Sequence, residues 1–399
     1  MEHEAGVTSA RSRAAAGEFA VVQAFFEERA RTVQDDPDAC DFTFGNPQEM
    51  PLPGLVAALK QSAEPLDKDW FAYKTSEELP RTVLAKALTE ELSLPFEPED
   101  IALTAGAFGA IALAFHLLTD PGDEVVIPVP GWFLYAPMLR QAGLVPVKAA
   151  LAPDTFDLDL DAIADAISPR TRIVVVNTPH NPTGRIYSSA SLRALADLLD
   201  EASGRIGRRI FILSDEPYRR IRFDGTDFTS PAAHYPWTLV DYSYGKVLLA
   251  PGQRLGYLAL SPNLPEQDRA ALRDLLFPTQ AALGWTFPEA IMQHSVPALE
   301  TVSIDVAELQ RKRDRMLGAL AEYGYRMTRP EGTFYLWGAA PGGDALRFSM
   351  WLATRSVHVM PGTLFERPAE FRICLTATSD MVERSLPSFR DAAVALSPR

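Results

Sequence analysis

Ile210-Phe-Ile-Leu-Ser-Asp-Glu-Pro-Tyr218 is a short apolar run that ends in two acids and a proline. So continuous a run reads as a strand buried on both faces, which is the habit of parallel sheets. Asp215 then sits just past the apolar part. A carboxylate half-buried there needs a cationic partner, because isolated charge is costly to bury. The same texture recurs on either side, at Glu124–Pro128, Val145–Lys148, Ile173–Asn177, Leu239–Tyr242 and Leu255–Ala259. Amphipathic helical patterns lie between these runs, as at Leu160–Ile167 and Ser189–Leu199. Strands spaced by helices predict an α/β protein: a three-layer α/β/α large domain with a mostly parallel sheet.

The flanks differ in character. Residues 1–18 read as frayed or loosely helical, Phe19–Val33 as a helix, and Asp35–Pro53, rich in Pro, Asp and Gly, as an extended connector. Leu55–Ser62 and Leu79–Leu92 read as helices. Leu264 to about Gln293 is helical, and a charged helix follows over Asp305–Tyr323. Beyond it, Tyr325–Met327, Thr333–Trp337, Val357–Met360 and Arg372–Leu375 read as strands. Ala345–Arg355 and Asp380–Leu396 read as helices. This predicts a smaller α+β domain. The expected division is 1–60, an N-terminal segment belonging to the small domain; 61–290, the large domain; and 291–399, the C-terminal small domain.

Composition narrows the function. The 399 residues hold 38 Lys+Arg against 52 Asp+Glu, a net charge of −14, and 47% are hydrophobic. That much apolar content builds a core, and the acidic balance argues against nucleic acid or an anionic membrane as partner. The uncharged run Ile101–Thr119 carries His116 and is flanked by Asp100 and Asp120. It reads as a strand end, a turn at Gly106 and a buried helix rather than a membrane span. Two cysteines, Cys40 and Cys374, cannot make a disulfide framework, and the N-terminus lacks the apolar core of a secretory signal. A reducing, cytoplasmic compartment is expected. No metal site is expected, since neither the six histidines nor the two cysteines show ligand spacing.

Four segments follow strands and carry chemistry: Asn177-Thr-Pro-His-Asn-Pro-Thr-Gly184, Ser214–Tyr218, Asp241–Tyr257 and Phe371-Arg-Ile-Cys-Leu375. In open α/β sheets ligands bind at the carboxyl ends of the strands, so these loops can converge. Lys246 has Arg254 eight residues on, and a nearby cation favours the neutral, nucleophilic amine. Arg254 and Ser243 suit a phosphate. Thr104-Ala-Gly-Ala-Phe-Gly109 puts small residues at a helix start, where free N–H groups favour an anion. Trp132 offers a flat face for stacking. Together these parts describe an aromatic carbonyl compound with a phosphate and a protonatable ring nitrogen, and pyridoxal 5'-phosphate fits.

From about residue 40 the sequence resembles the class I/II aminotransferases, pyridoxal-phosphate-dependent transferases of fold type I. The resemblance rests on the joint order Asn-Pro-x-Gly, Asp-x-x-Tyr, Ser-x-x-Lys, Arg-x-Gly-Tyr and a late Arg. It implies that Lys246 bonds the cofactor as a Schiff base and then shuttles the substrate α-proton. Asp215 would pair with the ring nitrogen, and Asn181 and Tyr218 would hydrogen-bond the ring 3-oxygen. Trp132 would stack on the ring. Backbone N–H groups of Gly106, Ala107 and Phe108 would join Ser243 and Arg254 on the phosphate. Tyr73 would reach the phosphate of a partner subunit, which implies a homodimer with shared sites. Arg372 would clamp the substrate α-carboxylate, with Gly45, Asn181 and Trp132 lining the substrate site.

Three departures point to a specialised substrate or outcome. Glu78-Leu-Pro-Arg-Thr-Val83 lacks the family's glycine and final arginine, Gly245 replaces a hydroxyl residue before the lysine, and Phe108 is bulky. The expected reaction is ping-pong transfer of an amino group between an amino acid and a 2-oxo acid, with one partner neutral or aromatic. The alternative is another reaction on the same fold: elimination, decarboxylation or oxidation. A regulator's sensor module is disfavoured, because about 40 non-basic residues before the fold are too few for a DNA-binding domain.

Overall fold

The computed structural model describes residues 6–33, 36–284 and 287–396. Residues 1–5 of the N-terminal stretch, Asp35 and residues 285–286 of the expected 264–293 helical region lie outside these. The chain opens with helix α1 (Ala10–Val33), strand β1 (Cys40–Asp41) and helices α2 (Pro53–Ala63) and α3 (Glu78–Leu92). Next come β2 (Ile101–Thr104), α4 (Gly106–Leu118), β3 (Glu124–Val129), α5 (Tyr135–Gln141), β4 (Val145–Ala150) and α6 (Leu160–Ala166). They lead to β5 (Thr171–Asn177), α7 (Ser189–Ile206), β6 (Phe211–Asp215), β7 (Thr238–Ser243), α8 (Tyr244–Val247) and β8 (Gly256–Leu260). Helices α9 (Glu266–Leu283), α10 (Ala290–Leu299) and α11 (Val306–Glu322) follow. The C-terminal part holds β9 (Met327–Thr328), β10 (Tyr335–Ala339), α12 (Ala345–Ala353), β11 (Val357–His358), β12 (Met360–Pro361), β13 (Glu370–Cys374) and α13 (Ser379–Leu396).

Among the described residues the central sheet has seven strands in the order β2-β8-β7-β6-β5-β3-β4. It is parallel except for β8, which runs against both neighbours. Only twelve residues separate β7 from β8, and α8 takes up a single turn of them. A parallel crossover usually carries a full helix across the sheet, which the single turn of α8 does not supply, and the chain returns antiparallel instead. That return puts Arg254, just before β8, at the end of the sheet where β5, β6 and β7 finish.

Alternate residues of each strand feed opposite layers. Val125, Ile173, Phe211, Leu213 and Leu239 pack with α4 on one face. Val126, Val174, Val176 and Ile212 pack with α7 on the other. An antiparallel sheet, β12-β13-β10-β9, forms the C-terminal layer with α11, α12 and α13 around it. The expected architecture of a mostly parallel, helix-covered sheet plus a smaller α+β part is the one found.

Local differences have local causes. The helix expected from Phe19 begins at Ala10, because the alanine-rich stretch has high helix propensity. The Asp35–Pro53 connector contains β1, which pairs in parallel with β11; two residues are too short a run to show a period. The expected Tyr325–Met327 strand is Met327–Thr328, and α5 was not expected.

Leu258 is fully buried in β8, between the β2 and β7 strands. Leu258→Ala should destabilise the large domain by about 2–5 kcal/mol, read as a lower urea midpoint at unchanged m-value.

Candidate active site

Asn177, Asp215 and Asp241 are register partners at the carboxyl ends of β5, β6 and β7. Each is two or four residues beyond a side chain on the α4 face, so all three point to that face. Asp215 is buried rather than half-buried, and its partners are neutral rather than cationic. The Tyr135 hydroxyl donates to its Oδ2, and Asn177 Nδ2 donates to Oδ2 at 3.2 Å and to its backbone oxygen at 2.9 Å. Its Oδ1 has no partner among the described residues. Burial pushes the Asp215 carboxyl up, against the Tyr135 hydrogen bond and the Lys246 charge. Tyr135 and Asn177 were not among the expected site residues. A tyrosine in an unassigned helix carries no sequence signal. Asn177 opens the quoted Asn177–Gly184 segment, so its strand-end place was the available clue.

Lys246 sits in the single turn α8, with Nζ 5.6 Å from the centre of the Tyr218 ring. Burial pulls its amine down to about 8, and the nearby Arg372 and Arg254 charges act in the same direction. The expectation credited the arginine; desolvation is the larger cause. Tyr218 is buried, and its hydroxyl lies 3.1 Å from that of Tyr335. Arg372 is buried on β13, where Trp337 of β10 is its register partner. Its Nη1 donates to Asn181 Oδ1 at 2.9 Å, its Nη2 donates to the Thr43 carbonyl at 2.8 Å, and its Nε has no partner among the described residues. The guanidinium lies 4.0 Å from the Tyr335 ring centre. Gly45 faces Phe334, and a Cβ there would come within 2.8 Å of that ring.

The opposite end is built largely of backbone. Helix α4 starts at Gly106 with no side-chain cap, since its N-cap is Ala105. Its first N–H groups therefore lack the usual side-chain acceptor. Gly106 has φ +75°, and a Cβ there would meet Arg254 Nη2 at 2.7 Å. A Cβ on Gly256 would meet the Gly106 backbone at 2.7 Å. Arg254 donates to the carbonyls of Pro251 (2.6 Å) and Ala105 (3.1 Å). Ser243 is buried beside Gly245, whose added Cβ would touch the Pro251 backbone at 3.0 Å. The Phe108 and Trp132 rings meet edge to face at 4.8 Å.

Two adjoining cavities, about 390 and 250 Å³, share Lys246, Asn181, Tyr218 and Trp132. Arg372 and Gly45 line the larger one. Asp215, Ser243, Arg254, Ala107 and Phe108 line the smaller. Phe26, Phe44 and Phe133 line both, and the larger also has Tyr335 and Arg29 of α1, an arginine that no expectation had placed here. Tyr73 is fully exposed on the loop before α3 and joins neither cavity.

The family model for aminotransferase class I and II matches residues 37–388. The chain belongs to this family. It is an enzyme, an aminotransferase that moves an amino group between an amino acid and a 2-oxo acid, and the family's members use pyridoxal phosphate. An aspartate/prephenate aminotransferase of Cereibacter sphaeroides is 31% identical over 356 residues, 83% of this chain and 84% of that protein. One from Thermus thermophilus is 30% identical over 313 residues, 77% of this chain and 79% of that protein. Among solved structures, an aminotransferase from Eubacterium rectale superposes with a TM-score of 0.85 at 27% identity, covering 100% of this chain and 98% of that one.

A lysine with its midpoint at about 8 is half neutral there and increasingly nucleophilic above it. Labelling of Lys246 in the coenzyme-free aminotransferase by a small amine-reactive ester, followed by peptide mass mapping, should rise through about that pH. A midpoint in the ordinary lysine range, about 10.4, would contradict the burial argument.

Proposed function

We propose that this aminotransferase binds pyridoxal 5'-phosphate in the smaller cavity and runs a ping-pong transamination with Lys246 as the bonded amine. One observation carries the reading: Lys246 belongs to both cavities, so a group bonded to it reaches Asp215 on one side and Arg372 on the other. The residues fit the coenzyme. Asp215 Oδ1 is a buried acceptor with no N–H or O–H donor among the described residues, as a ring N–H would need. The uncapped start of α4, with Ser243 and Arg254, suits a phosphate. When bound, the coenzyme supplies an aldehyde that condenses with amines and a ring that takes up electrons from the substrate α-carbon.

The chain's own residues do the rest. Asp215 holds the ring N–H, and Tyr135 and Asn177 hold Asp215 in place. Asn181 and Tyr218 donate to the ring 3-oxygen, Asn181 through its amide nitrogen because Arg372 engages its oxygen. Trp132 covers the ring, and Gly106, Ala107 and Phe108 hold the phosphate through backbone N–H groups. Arg372 takes the substrate α-carboxylate in a pocket that also presents Gly45, Asn181 and Trp132. Lys246 Nζ would take the substrate α-proton and return it, as general base and acid.

A neutral or aromatic amino acid is the proposed donor. Phe26, Phe44 and Phe133 line both cavities and Tyr335 lines the larger one, so the substrate side is ringed by aromatic side chains. Arg29, which lines this cavity with Arg372 and Lys246, is already bonded to Asp41 and Thr43 and lies 4.9 Å from the Phe44 ring centre.

The working unit is proposed to be a homodimer, with Tyr73 reaching the partner's phosphate; its full exposure on one chain supports this. The division into 1–60, 61–290 and 291–399 is supported by the pairing of β1 with β11, which ties residues 40–41 to 357–358. The cytoplasm is the proposed compartment, in keeping with two buried, unpaired cysteines.

Lys246→Ala should abolish turnover, and borohydride reduction of the holoenzyme should leave the coenzyme on the Lys246 peptide; a label elsewhere would sink the reading. Arg372→Ala should lower kcat/KM by roughly 30-fold or more, since removing one partner of a buried charged contact costs about 2–5 kcal/mol. Sedimentation of the active enzyme as a monomer would overturn the shared-site dimer.

A further inference from the structure

A second carboxyl stands behind Asp215. Asp241 is fully buried on β7, in register with Asp215 across a parallel pair, so both side chains leave the sheet on one face. Neither Asp241 oxygen has a hydrogen-bond partner from any N–H or O–H group of the described residues. As register partners on adjacent parallel strands, pointing to the same face, the two carboxyls lie side by side. Two carboxylates so placed would repel in a dry site, and a single proton between them turns repulsion into a bond.

The surroundings decide which one keeps the proton. Asp215 is stabilised as the ion by the Tyr135 hydroxyl, the Asn177 amide and the Lys246 charge. Asp241 faces the Asp215 and Glu216 carboxyls, and Arg219 is the cation that opposes them. Arg219 is itself shared with Glu216 and Glu91 and bonded to the Tyr257 hydroxyl. Burial, then the Asp215 charge, holds Asp241 well above the usual carboxylate range.

We propose that Asp241 is a positioning residue that stays protonated at neutral pH and donates its proton to Asp215, keeping one negative charge, not two, at the ring-nitrogen end of the site. The effect on the coenzyme rests on the function proposed above; the shared proton does not. A donor onto a carboxylate lowers its basicity. Asp241 therefore weakens the pull of Asp215 on the ring proton and keeps that proton on the ring. Without the donor, Asp215 draws the proton toward itself and the ring withdraws electrons less strongly. The coenzyme–lysine linkage then stays protonated to higher pH.

Two measurements test this. The first uses coenzyme-free protein, one unit or more above the Glu216 midpoint of about 7, where Glu216 is ionised. The infrared spectrum of the wild type should show a protonated-carboxyl band that Asp241→Asn, close in shape and still a donor, lacks. No difference between the two would overturn the shared proton, whether or not the coenzyme binds. The second is the pH titration of the visible coenzyme band in the holoenzyme. Asp241→Asn should track the wild type, and Asp241→Val, similar in volume but no donor, should move the midpoint up by roughly half a unit or more. A valine variant that overlays the wild type, or an asparagine variant that shifts as far as valine, would overturn the role as donor. If the valine variant does not fold, the infrared comparison decides the proposal. A protein that takes up no coenzyme fails the function proposed earlier and leaves the infrared result standing.

Discussion

Burying the Asp215 carboxylate is the constraint around which the catalytic end of the sheet is arranged. Taking an ion out of water costs several kcal/mol after relaxation, and the chain offsets this with neutral donors in direct contact, the Lys246 charge acting without a hydrogen bond. Those donors come from different elements, Tyr135 from α5 and Asn177 from the neighbouring strand. They meet Asp215 because β5, β6 and β7 run in register, so that Asn177, Asp215 and Asp241 form one row. A slip of one residue would turn the row to the α7 face and put it among Val174, Val176 and Ile212.

Arg372 does for the C-terminal part what Asp215 does for the sheet. Its guanidinium binds the Asn181 side chain, in the loop after β5, and the Thr43 carbonyl, just after β1. Three distant pieces of chain thus share one buried cation stacked on Tyr335. The tight seats of Gly45 against Phe334 and of Gly184 against Pro330 belong to the same closure. A Cβ at Gly184 would come within 2.2 Å of the proline ring, and its φ of +75° independently favours glycine.

Much of this was legible in the sequence, because the buried strands are short continuous apolar runs with their chemistry placed just past each run. Asp215, Asn181 and Lys246 announce themselves in that way, while Arg254 and Arg372 are legible through their place in the joint order of motifs. What could not be read depends on pairing. The antiparallel direction of β8 goes with a connection that holds only the single turn α8, which apolar content does not encode. Tyr335 reaches Tyr218 only because β10 pairs with β13 in one register, with Cys374 opposite Tyr335 and Arg372 opposite Trp337. Tyr135 and Phe26 are aromatic residues in helices, indistinguishable by sequence from core packing. The state of Lys246 was anticipated in direction, but with a neighbouring charge as its cause where burial is the larger one.

The near contact of Gly106 with Gly256 has an evolutionary corollary. At that end the wall is peptide backbone, and a methyl group on either glycine would collide with main chain or with Arg254. Mutation therefore has almost nothing there to vary. The rings of Phe26, Phe44 and Phe133, which line both cavities, sit on separate segments and can be exchanged one at a time. Descendants of this chain would inherit one anchorage unaltered while drifting toward new clients through those rings.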